Sequence, residues 1–285
     1  MIAILCNNYS MAFEELREIP VVILAGGKGT RLGSEYGLKP KPLVCIGPLP
    51  ILMHIILIYM NSGFRKFFIC VGFRSGDFQD YFESIGSKVS TNLYVVSKAQ
   101  LAELISPLQA PSNDFEIEIK LLDTGVESTT AKRIKMAIDE FDSNLFCATY
   151  GDGVASLDVS EVLNFHIQKG FDISLTAFHP PSRFGEVMVN ANNLVVNFQE
   201  KQLSSTLVNG GFFIINRSVQ DDIDPELSLE VGLLGNYCRK GKLGAYISED
   251  FWQMMDTPRE VEILNEMYER GSAPWLTSTL LRQKK

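Results

Sequence analysis

Three glycines, two basic side chains and a threonine lie within the seven residues Ala25-Gly26-Gly27-Lys28-Gly29-Thr30-Arg31. The β-branched run Val21–Leu24 directly precedes them and is typical of a strand. Because glycine lacks a Cβ atom, the backbone N–H groups of such a loop can turn towards an anion, and the basic side chains add positive charge. The segment predicts either a loop that holds the triphosphate of a nucleotide or an ordinary tight turn.

Two common phosphate-binding motifs do not fit this segment. The P-loop needs Ser or Thr directly after Gly-Lys, whereas Gly29 follows Lys28. The dinucleotide motif needs a third glycine at the position of Leu32. A triphosphate held in some other way is therefore the ligand to consider.

A second basic segment, Lys39-Pro40-Lys41-Pro42, follows about ten residues downstream. Each proline favours an extended conformation for the residue before it. In an extended chain, residues two apart point the same way. We therefore expect both lysines to face the same anion as the glycine loop, the alternative being a solvent-exposed loop.

These two segments resemble those of the sugar-1-phosphate nucleotidyltransferases, and further segments resemble the glucose-1-phosphate cytidylyltransferases among them. The further segments are Val71-Gly72-Phe73, Asp123-Thr124-Gly125, Tyr150-Gly151-Asp152-Gly153-Val154-Ala155, Arg183-Phe184-Gly185, Phe198-Gln199-Glu200-Lys201, Asn209-Gly210-Gly211-Phe212-Phe213 and Phe251-Trp252-Gln253 with Met255-Asp256-Thr257. Their order is the order in that family. The resemblance implies a nucleotidyltransferase domain over residues 20–276, an N-terminal extension at 1–19 and a C-terminal tail at 277–285.

The hydrophobic periodicity alternates between strand and helix along the first half of the chain. Predicted strands cover Val21–Ala25, Lys66–Phe73, Leu93–Ser97, Glu116–Leu122 and Leu145–Tyr150, and predicted helices cover Ile51–Asn61, Asp77–Phe82 and Thr130–Glu140. The later segments Phe171–Phe178, Glu186–Val196 and Val208–Ile215 look like strands without helices between them. We predict an α/β fold, a Rossmann-like doubly wound mixed sheet of the nucleotide-diphospho-sugar transferase type, whose partly antiparallel second half binds the acceptor.

Composition limits the classes of partner. The net charge of −8 argues against nucleic acid. The apolar run Ile51–Met60 is too short to span a membrane and contains His54. The five cysteines are scattered and lack metal-ligand spacing, which predicts reduced thiols and a cytoplasmic protein. The three histidines also lack ligand spacing, and we expect them to be structural.

Two aspartates follow apolar segments. Asp152 comes just after the predicted strand Leu145–Tyr150, and Asp256 comes shortly before Thr257-Pro258, a predicted helix start. Taken alone, such residues are most often turn or capping groups. The resemblance implies that they share one Mg²⁺ ion, whose preference for few protein oxygens plus substrate phosphates suits two carboxylates.

The resemblance also implies a reaction and the residues that perform it. CTP would react with a sugar 1-phosphate, glucose 1-phosphate first among them, to give CDP-glucose and pyrophosphate for the deoxysugars of surface polysaccharides. The implied catalytic residues are Arg31 and Lys41. The implied nucleotide-binding residues are Leu24, Ala25, Gly26, Gly27, Gly29, Thr30, Arg31, Thr124 and Arg133. The implied sugar-phosphate-binding residues are Gly185, Glu200, Lys201, Asn209 and Gly210. A homo-oligomer is also implied.

Departures from the family pattern keep other functions open. Ala131 and Lys132 stand where similar cytidylyltransferases have two glycines, and Gln202 replaces a proline. A different phosphorylated acceptor is therefore the second hypothesis. A nucleotide-binding regulator without turnover is the third, and the retention of Lys41 with both aspartates argues against it.

Overall fold

The computed structural model describes residues 13–29, 32–33, 39–104, 115–180, 185–199 and 206–276. The helices are α1 (Phe13–Glu18), α2 (Ile51–Asn61), α3 (Ser75–Ile85), α4 (Lys98–Leu104), α5 (Thr130–Ile138), α6 (Val159–Lys169), α7 (Gly235–Arg239) and α8 (Pro258–Glu269). Shorter helical segments are the 3-10 turns Lys41–Leu43 and Arg217–Asp222 and the π-helical segment Glu230–Leu234.

The strands come in two groups along the chain. Those of the first half are β1 (Pro20–Leu24), β2 (Cys45–Ile46), β3 (Leu49–Pro50), β4 (Lys66–Val71), β5 (Ser87–Ser90), β6 (Leu93–Ser97), β7 (Glu116–Asp123), β8 (Leu145–Tyr150) and β9 (Gly153–Ala155). Those of the second half are β10 (Ile173–Phe178), β11 (Glu186–Val189), β12 (Val195–Gln199), β13 (Val208–Asn216), β14 (Leu243–Ser248) and β15 (Trp252–Met254).

Within the described residues, nine strands form one mixed sheet in the order β14-β10-β13-β8-β1-β4-β7-β6-β5. The central strands β8, β1, β4 and β7 are parallel. Strand β13 pairs antiparallel to both β8 and β10, so that the half of the sheet built from later residues is mixed. The predicted α/β sheet with a partly antiparallel second half is confirmed.

Helices cover both faces of this sheet because the side chains of β1 alternate between two buried clusters. Val21 and Ile23 pack into one cluster with the apolar helix α2, and Val22 and Leu24 pack into the other with α5. A parallel strand that is buried on both faces reads as a continuous apolar run, which is what the sequence has here. Covering both faces leaves the strand ends as the place where polar side chains can gather.

The sequence predicted several of these elements closely. Helix α2 has the predicted bounds Ile51–Asn61, and Gly63 follows it with a positive φ of 104°. The predicted Glu186–Val196 segment is the hairpin β11–β12, which turns at Asn190–Asn193. Helix α6 and strand β14 were not predicted. In the part of the chain that the structure describes, no helix has the length and apolar character to cross a bilayer.

The prediction for the Lys-Pro-Lys-Pro segment was wrong in one respect. Lys41–Leu43 is a 3-10 turn closed by Leu43 N–H donating to the Pro40 carbonyl over 2.8 Å, not an extended arm. Pro42 is tolerated because its missing N–H lies in the first turn, where no hydrogen bond is needed. The two lysines do not form one wall: Lys41 is buried and Lys39 is exposed.

Candidate active site

A cavity of about 420 Å³ opens at the carboxyl ends of β1 and β8. Ligands of open α/β sheets bind at this end of the strands. Its walls come from the glycine loop, the Lys41 turn, the segment before α5, the end of β8 and Asp256. The lining residues are Leu24, Ala25, Gly26, Gly27, Gly29, Lys41, Pro42, Val126, Ser128, Thr130, Arg133, Tyr150, Gly151, Asp152 and Asp256.

Lys41 lies between the two predicted metal ligands. Its ammonium group donates to Asp152 Oδ2 and to Asp256 Oδ1, both over 2.6 Å. The three side chains are only 11%, 22% and 17% exposed, respectively. Residues that are 111 and 215 positions from Lys41 thus meet in one charged cluster in the cavity.

Backbone pairing beyond the main sheet holds the two aspartates together. Strand β9, directly after Asp152, pairs antiparallel with β15. Met255 N–H then donates to the Asp152 carbonyl over 2.8 Å. On the other side, Thr257 and Glu260 form a capping box at the start of α8, and Glu260 Oε2 also accepts from Asp256 N–H over 2.7 Å. The helix start predicted at Thr257-Pro258 is confirmed.

Two opposing effects set the ionisation of Lys41. Burial disfavours the ammonium form, but the carboxylates of Asp152 and Asp256 favour it more strongly, so the pKa of Lys41 lies above its ordinary value of 10.5. The side chain is therefore a cation at neutral pH. Because this single positive charge faces two negative charges, the cluster is net anionic.

Asp152 retains an unused oxygen. Its Oδ1 atom is buried and has no hydrogen-bond partner among the described residues. A buried carboxylate oxygen without a donor is costly, and a cation would satisfy it once the carboxylate turned towards the cavity. No group of three or more His, Cys, Asp or Glu side chains that could hold a metal occurs in the described chain. Two carboxylates in a cavity fit Mg²⁺, which takes its other ligands from water and phosphates.

Arg133 lies underneath the glycine loop and is only 4% exposed. Its guanidinium donates to the Gly26 carbonyl over 3.1 Å and to Thr124 Oγ1 over 2.5 Å, and further bonds reach the carbonyls of Val71 and Val126. The guanidinium thereby joins the last residue of β4 to the segments that follow β1 and β7. A solvated position for Arg133, the alternative to a nucleotide contact, does not occur.

The absence of a side chain has a structural explanation at two glycines of the loop. A Cβ atom on Gly26 would come within 2.0 Å of Arg133 Nη1. Gly29 has a φ of +60°, and a Cβ there would lie 2.9 Å from the Cβ of Lys41. A Cβ on Gly27, by contrast, would meet nothing within 4 Å. A side chain at Gly26 would displace the Arg133 guanidinium, and one at Gly29 would strain the backbone and crowd Lys41, whereas the space beside Gly27 is open for a ligand.

Sequence reasoning missed one residue that lines the cavity, Tyr150, and its hydrogen-bond partner, Glu230. The Tyr150 hydroxyl, at the end of β8, donates to Glu230 Oε1, and burial together with this bond raises the pKa of Tyr150. Tyr150 begins one of the segments that resemble the family, but the resemblance implied no role for it. Glu230 begins the π-helical segment, 80 residues away, and no local pattern marks it.

The three predicted acceptor residues that the structure describes, Gly185, Asn209 and Gly210, are not among the residues that line this cavity. Asn209 Oδ1 accepts from Gly211 N–H over 2.9 Å. Gly210 was expected to leave room for a ligand, but a Cβ there would come within 2.4 Å of the Phe178 ring. The absence of a side chain at Gly210 is thus explained by packing.

Some predicted residues contribute differently or cannot be placed. Thr124 is buried beneath the loop and does not line the cavity. Lys28 is exposed and pairs with Glu127 over 2.5 Å. The remaining predicted positions lie outside the described residues: Thr30, Arg31, Glu200, Lys201 and Gln202.

A larger cavity, of about 710 Å³, lies at the opposite ends of the strands, beside Pro20, Lys66 and Leu145. Its lysines are already paired, Lys66 with Glu18 and Lys120 with Glu140. The smaller cavity remains the candidate site because the glycine loop and the buried Lys41 cluster are there.

The His54 and His166 side chains lie away from the site and have structural partners, as predicted. His54 contacts the Ile46 carbonyl and Trp275 Nε1, and His166 contacts Ser174 and Asn216.

Residues 20–253 match the nucleotidyl transferase family. Glucose-1-phosphate cytidylyltransferase of Salmonella typhimurium is 39% identical over 259 residues, which cover 90% of this chain and 98% of that protein. Mannose-1-phosphate guanylyltransferase catalytic subunit beta of Drosophila melanogaster is 28% identical, covering 84% of this chain and 60% of its own length. The crystal structure of HddC from Yersinia pseudotuberculosis, 18% identical, has the same fold, with a TM-score of 0.64 over 88% of this chain and 99% of that one. The chain therefore belongs to the nucleotidyl transferase family, in which it is a sugar-phosphate nucleotidyltransferase related to the glucose-1-phosphate cytidylyltransferases.

Proposed function

We propose that this protein transfers a cytidylyl group from CTP to glucose 1-phosphate and releases pyrophosphate. The observation that carries the proposal is the position of the Lys41 ammonium group, which lies between Asp152 and Asp256 in a cavity lined by the glycine loop. The identity of 39% with the Salmonella enzyme supports CTP and glucose 1-phosphate as the substrates.

The proposed step joins a phosphate oxygen of the sugar phosphate to the α-phosphorus of CTP. The bond from the α-phosphorus to the bridging oxygen breaks, and that oxygen leaves with pyrophosphate. Because both substrates are anions, positioning and charge neutralisation should matter more than proton transfer. We assign the loop of Gly26, Gly27 and Gly29, with Thr30 and Arg31, to the β- and γ-phosphates, and Lys41 to the α-phosphate.

Asp152 and Asp256 are the residues that would hold Mg²⁺. The unused Oδ1 of Asp152 and the net anionic cluster support this assignment. When bound, the ion would neutralise phosphate charge and help to align the two substrates. Arg133 and Thr124 act from beneath, by holding the backbone of the glycine loop where it meets the nucleotide.

For the acceptor side we retain Gly185, Glu200, Lys201, Asn209 and Gly210 as the proposed contacts, with Lys201 on the sugar phosphate. A different acceptor was suggested by Ala131 and Lys132. Ala131 is buried in the core and Lys132 is exposed, and neither lines the cavity. No described contact of these two side chains favours another acceptor over glucose 1-phosphate.

The cellular setting completes the proposal. CDP-glucose made by this protein in the cytoplasm would supply the deoxysugars of surface polysaccharides such as the O-antigen of lipopolysaccharide. The domain limits proposed with it are residues 20–276 for the enzyme, 1–19 for an extension and 277–285 for a tail.

A homo-oligomer is also part of the proposal, and the β11–β12 hairpin supports it. This hairpin is a separate two-stranded sheet, and its large apolar side chains are 51–64% exposed: Val187, Met188, Val189, Leu194, Val195, Val196 and Phe198. An isolated hairpin is marginal in water, and such exposed edges readily pair with another chain.

A second copy of this chain is the partner we propose for the hairpin. Residues 187–198 carry no charged side chain, so two acidic chains could meet there without like-charge repulsion. Seven half-exposed apolar side chains amount to roughly 300–600 Å², a size of patch that typically marks an interaction site.

A panel of pyrophosphate-release assays tests the activity. CTP, UTP, dTTP, GTP and ATP are each combined with glucose 1-phosphate, mannose 1-phosphate or no acceptor, in Mg²⁺ and in EDTA. We expect CTP with glucose 1-phosphate to react at a kcat/KM of roughly 10⁴ M⁻¹s⁻¹ or more, in Mg²⁺ only. Selective turnover of another acceptor, or no turnover of any pair, would refute the proposal.

A further inference from the structure

The Lys41 ammonium group satisfies the two carboxylates that are proposed to bind the metal. Each carboxylate gives it one oxygen at 2.6 Å, Oδ2 of Asp152 and Oδ1 of Asp256. Mg²⁺ binds carboxylate oxygens at about 2.0–2.1 Å. An ammonium and a divalent ion on the same two oxygens would repel each other strongly, since the site is partly buried and poorly screened.

The remaining oxygen of Asp152 offers no easy way around this conflict. Asp152 Oδ1 has essentially no solvent-accessible surface, so an incoming ion cannot reach it while the carboxylate keeps its present orientation. Turning the carboxylate to present Oδ1 would break the 2.6 Å contact between Oδ2 and Lys41. Binding of the ion through Oδ1 of Asp152 would therefore cost Lys41 its contact with that carboxylate, and binding through the two oxygens that Lys41 already holds would place two cations together.

We propose that Lys41 is a built-in counter-ion that a divalent metal must displace, so that metal binding releases its ammonium group towards the substrate phosphates. This inference rests on the proposed metal role of Asp152 and Asp256. Without metal, the lysine keeps the two carboxylates close together and neutralises part of their charge. With metal, the same side chain becomes free to contact the α-phosphate. The productive position of Lys41 thus depends on the metal.

Metal binding in the absence of nucleotide tests this competition. Free Mn²⁺ is measured by electron paramagnetic resonance during titration of wild type, Lys41→Met, Lys41→Arg and Lys39→Met. We expect Lys41→Met to bind Mn²⁺ roughly tenfold more tightly than wild type, a typical size for coupled binding. Lys39→Met removes one charge from the same segment at an exposed position and should change little. Lys41→Arg keeps the charge and should resemble wild type.

A second readout follows the lysine itself in the wild-type protein. Amines are acetylated with an N-hydroxysuccinimide ester with and without Mg²⁺ at constant pH and ionic strength, and Lys41 and Lys39 are quantified separately by fragmentation mass spectrometry. If metal binding releases the Lys41 ammonium group, Mg²⁺ should speed the acetylation of Lys41 several-fold relative to that of the exposed Lys39. This measurement also keeps the proposal testable if Lys41→Met does not fold, which circular dichroism would show.

Two results would overturn the inference. One is an equal Mn²⁺ affinity of Lys41→Met and Lys39→Met, and the other is a Lys41 acetylation rate that Mg²⁺ leaves unchanged. Because neither experiment contains a nucleotide or a sugar, its outcome is independent of whether CTP and glucose 1-phosphate are the substrates. A wrong substrate assignment is detected by the pyrophosphate-release assays instead.

Discussion

At the scale of single residues, the chemistry depends on a cation placed between two carboxylates. Burial disfavours the charged form of Lys41, but Asp152 and Asp256 stabilise it, and its pKa is raised as a result. The two aspartates share this single cation, so the cluster keeps a net negative charge. Their proposed value lies in the metal they can bind, so replacing them should affect turnover far more than folding.

Asp152→Asn and Asp256→Asn should each reduce kcat by about 10²–10³-fold or more, because each removes an anionic ligand for the metal. Pyrophosphate release at saturating substrates measures the loss, and thermal unfolding checks the fold. Asp250→Asn is the control, since Asp250 is exposed and does not line the cavity. Near-wild-type rates for either variant at saturating Mg²⁺ would refute the shared-metal assignment.

At the scale of elements, the glycine loop is shaped by what lies underneath it. Arg133 reaches from α5 to the Gly26 carbonyl, and the Lys41 turn packs against Gly29. The loop therefore has one face fixed by protein contacts and one face, at Gly27, that is open. The neighbouring glycines Gly26 and Gly27 should consequently respond differently to the same substitution.

Gly26→Ala should destabilise the protein by about 1–3 kcal/mol, because its methyl group displaces a guanidinium that is satisfied by buried acceptors. Gly27→Ala is the matched control and should leave the free energy of unfolding unchanged while weakening CTP binding, since its methyl group points into the open cavity. Urea unfolding and CTP titration separate the two effects. Equal stability of both variants would contradict this description of the loop.

Helix α2 contributes a second element-scale property through His54. Trp275 Nε1 can only donate, so His54 Nδ1 accepts and its Nε2–H donates to the Ile46 carbonyl. Protonating Nδ1 would break the contact with Trp275. Burial lowers the pKa of His54 from 6.5 to about 4, and the neutral ring ties α2 to the residues beyond α8.

Acidification should therefore weaken this tie. Unfolded His54 takes up a proton near pH 6.5 and the folded residue only near pH 4, so the free energy of unfolding falls as the pH drops between these values. The contribution is about 2 kcal/mol between pH 7 and pH 5. His54→Gln, whose amide does not titrate, should show a pH dependence smaller by that amount in urea unfolding. Identical pH dependence of the two proteins would show that His54 is not the cause.

At the scale of the whole molecule, the β11–β12 hairpin differs from the other two-stranded sheets of the described residues because its apolar side chains are exposed. The β11–β12 hairpin pairs Val187 with Phe198 across its two strands, and both are more than half exposed. Strand β5, at one edge of the main sheet, instead carries Ser87, Lys88 and Ser90 beside a single apolar residue, Val89, a composition that suits an edge in water. The hairpin is therefore the surface on which assembly of the enzyme should depend.

Sedimentation velocity at about 10 μM, the range in which many specific complexes form, should find wild type as a dimer or larger species. Val187→Lys combined with Phe198→Lys should give monomers, because burying two unpaired charges opposes association. Ala191→Lys with Asn192→Lys adds the same two charges in the turn and should preserve the assembly. A monomeric wild type, or an assembly unaffected by Val187→Lys with Phe198→Lys, would exclude the hairpin as the interface.

Local sequence patterns were enough to predict several elements and the kind of ligand. Strand β1, helix α2 and the hairpin turn at Asn190 are all set by neighbouring residues, through periodicity and turn chemistry. The glycine loop likewise indicates an anion, because backbone N–H groups and nearby cations are local properties. The order of the quoted motifs then indicated the family that the comparisons confirm.

The way in which these parts meet depends on contacts between residues that are far apart in the sequence. Lys41 lies between Asp152 and Asp256 because β8 neighbours β1 in the sheet and because β9 pairs with β15, and no pattern within a few residues encodes either pairing. Arg133 is buried because the loops after β1 and β7 place carbonyl groups around it. Contacts of this kind follow from the arrangement of the whole sheet, since each partner comes from a different strand end.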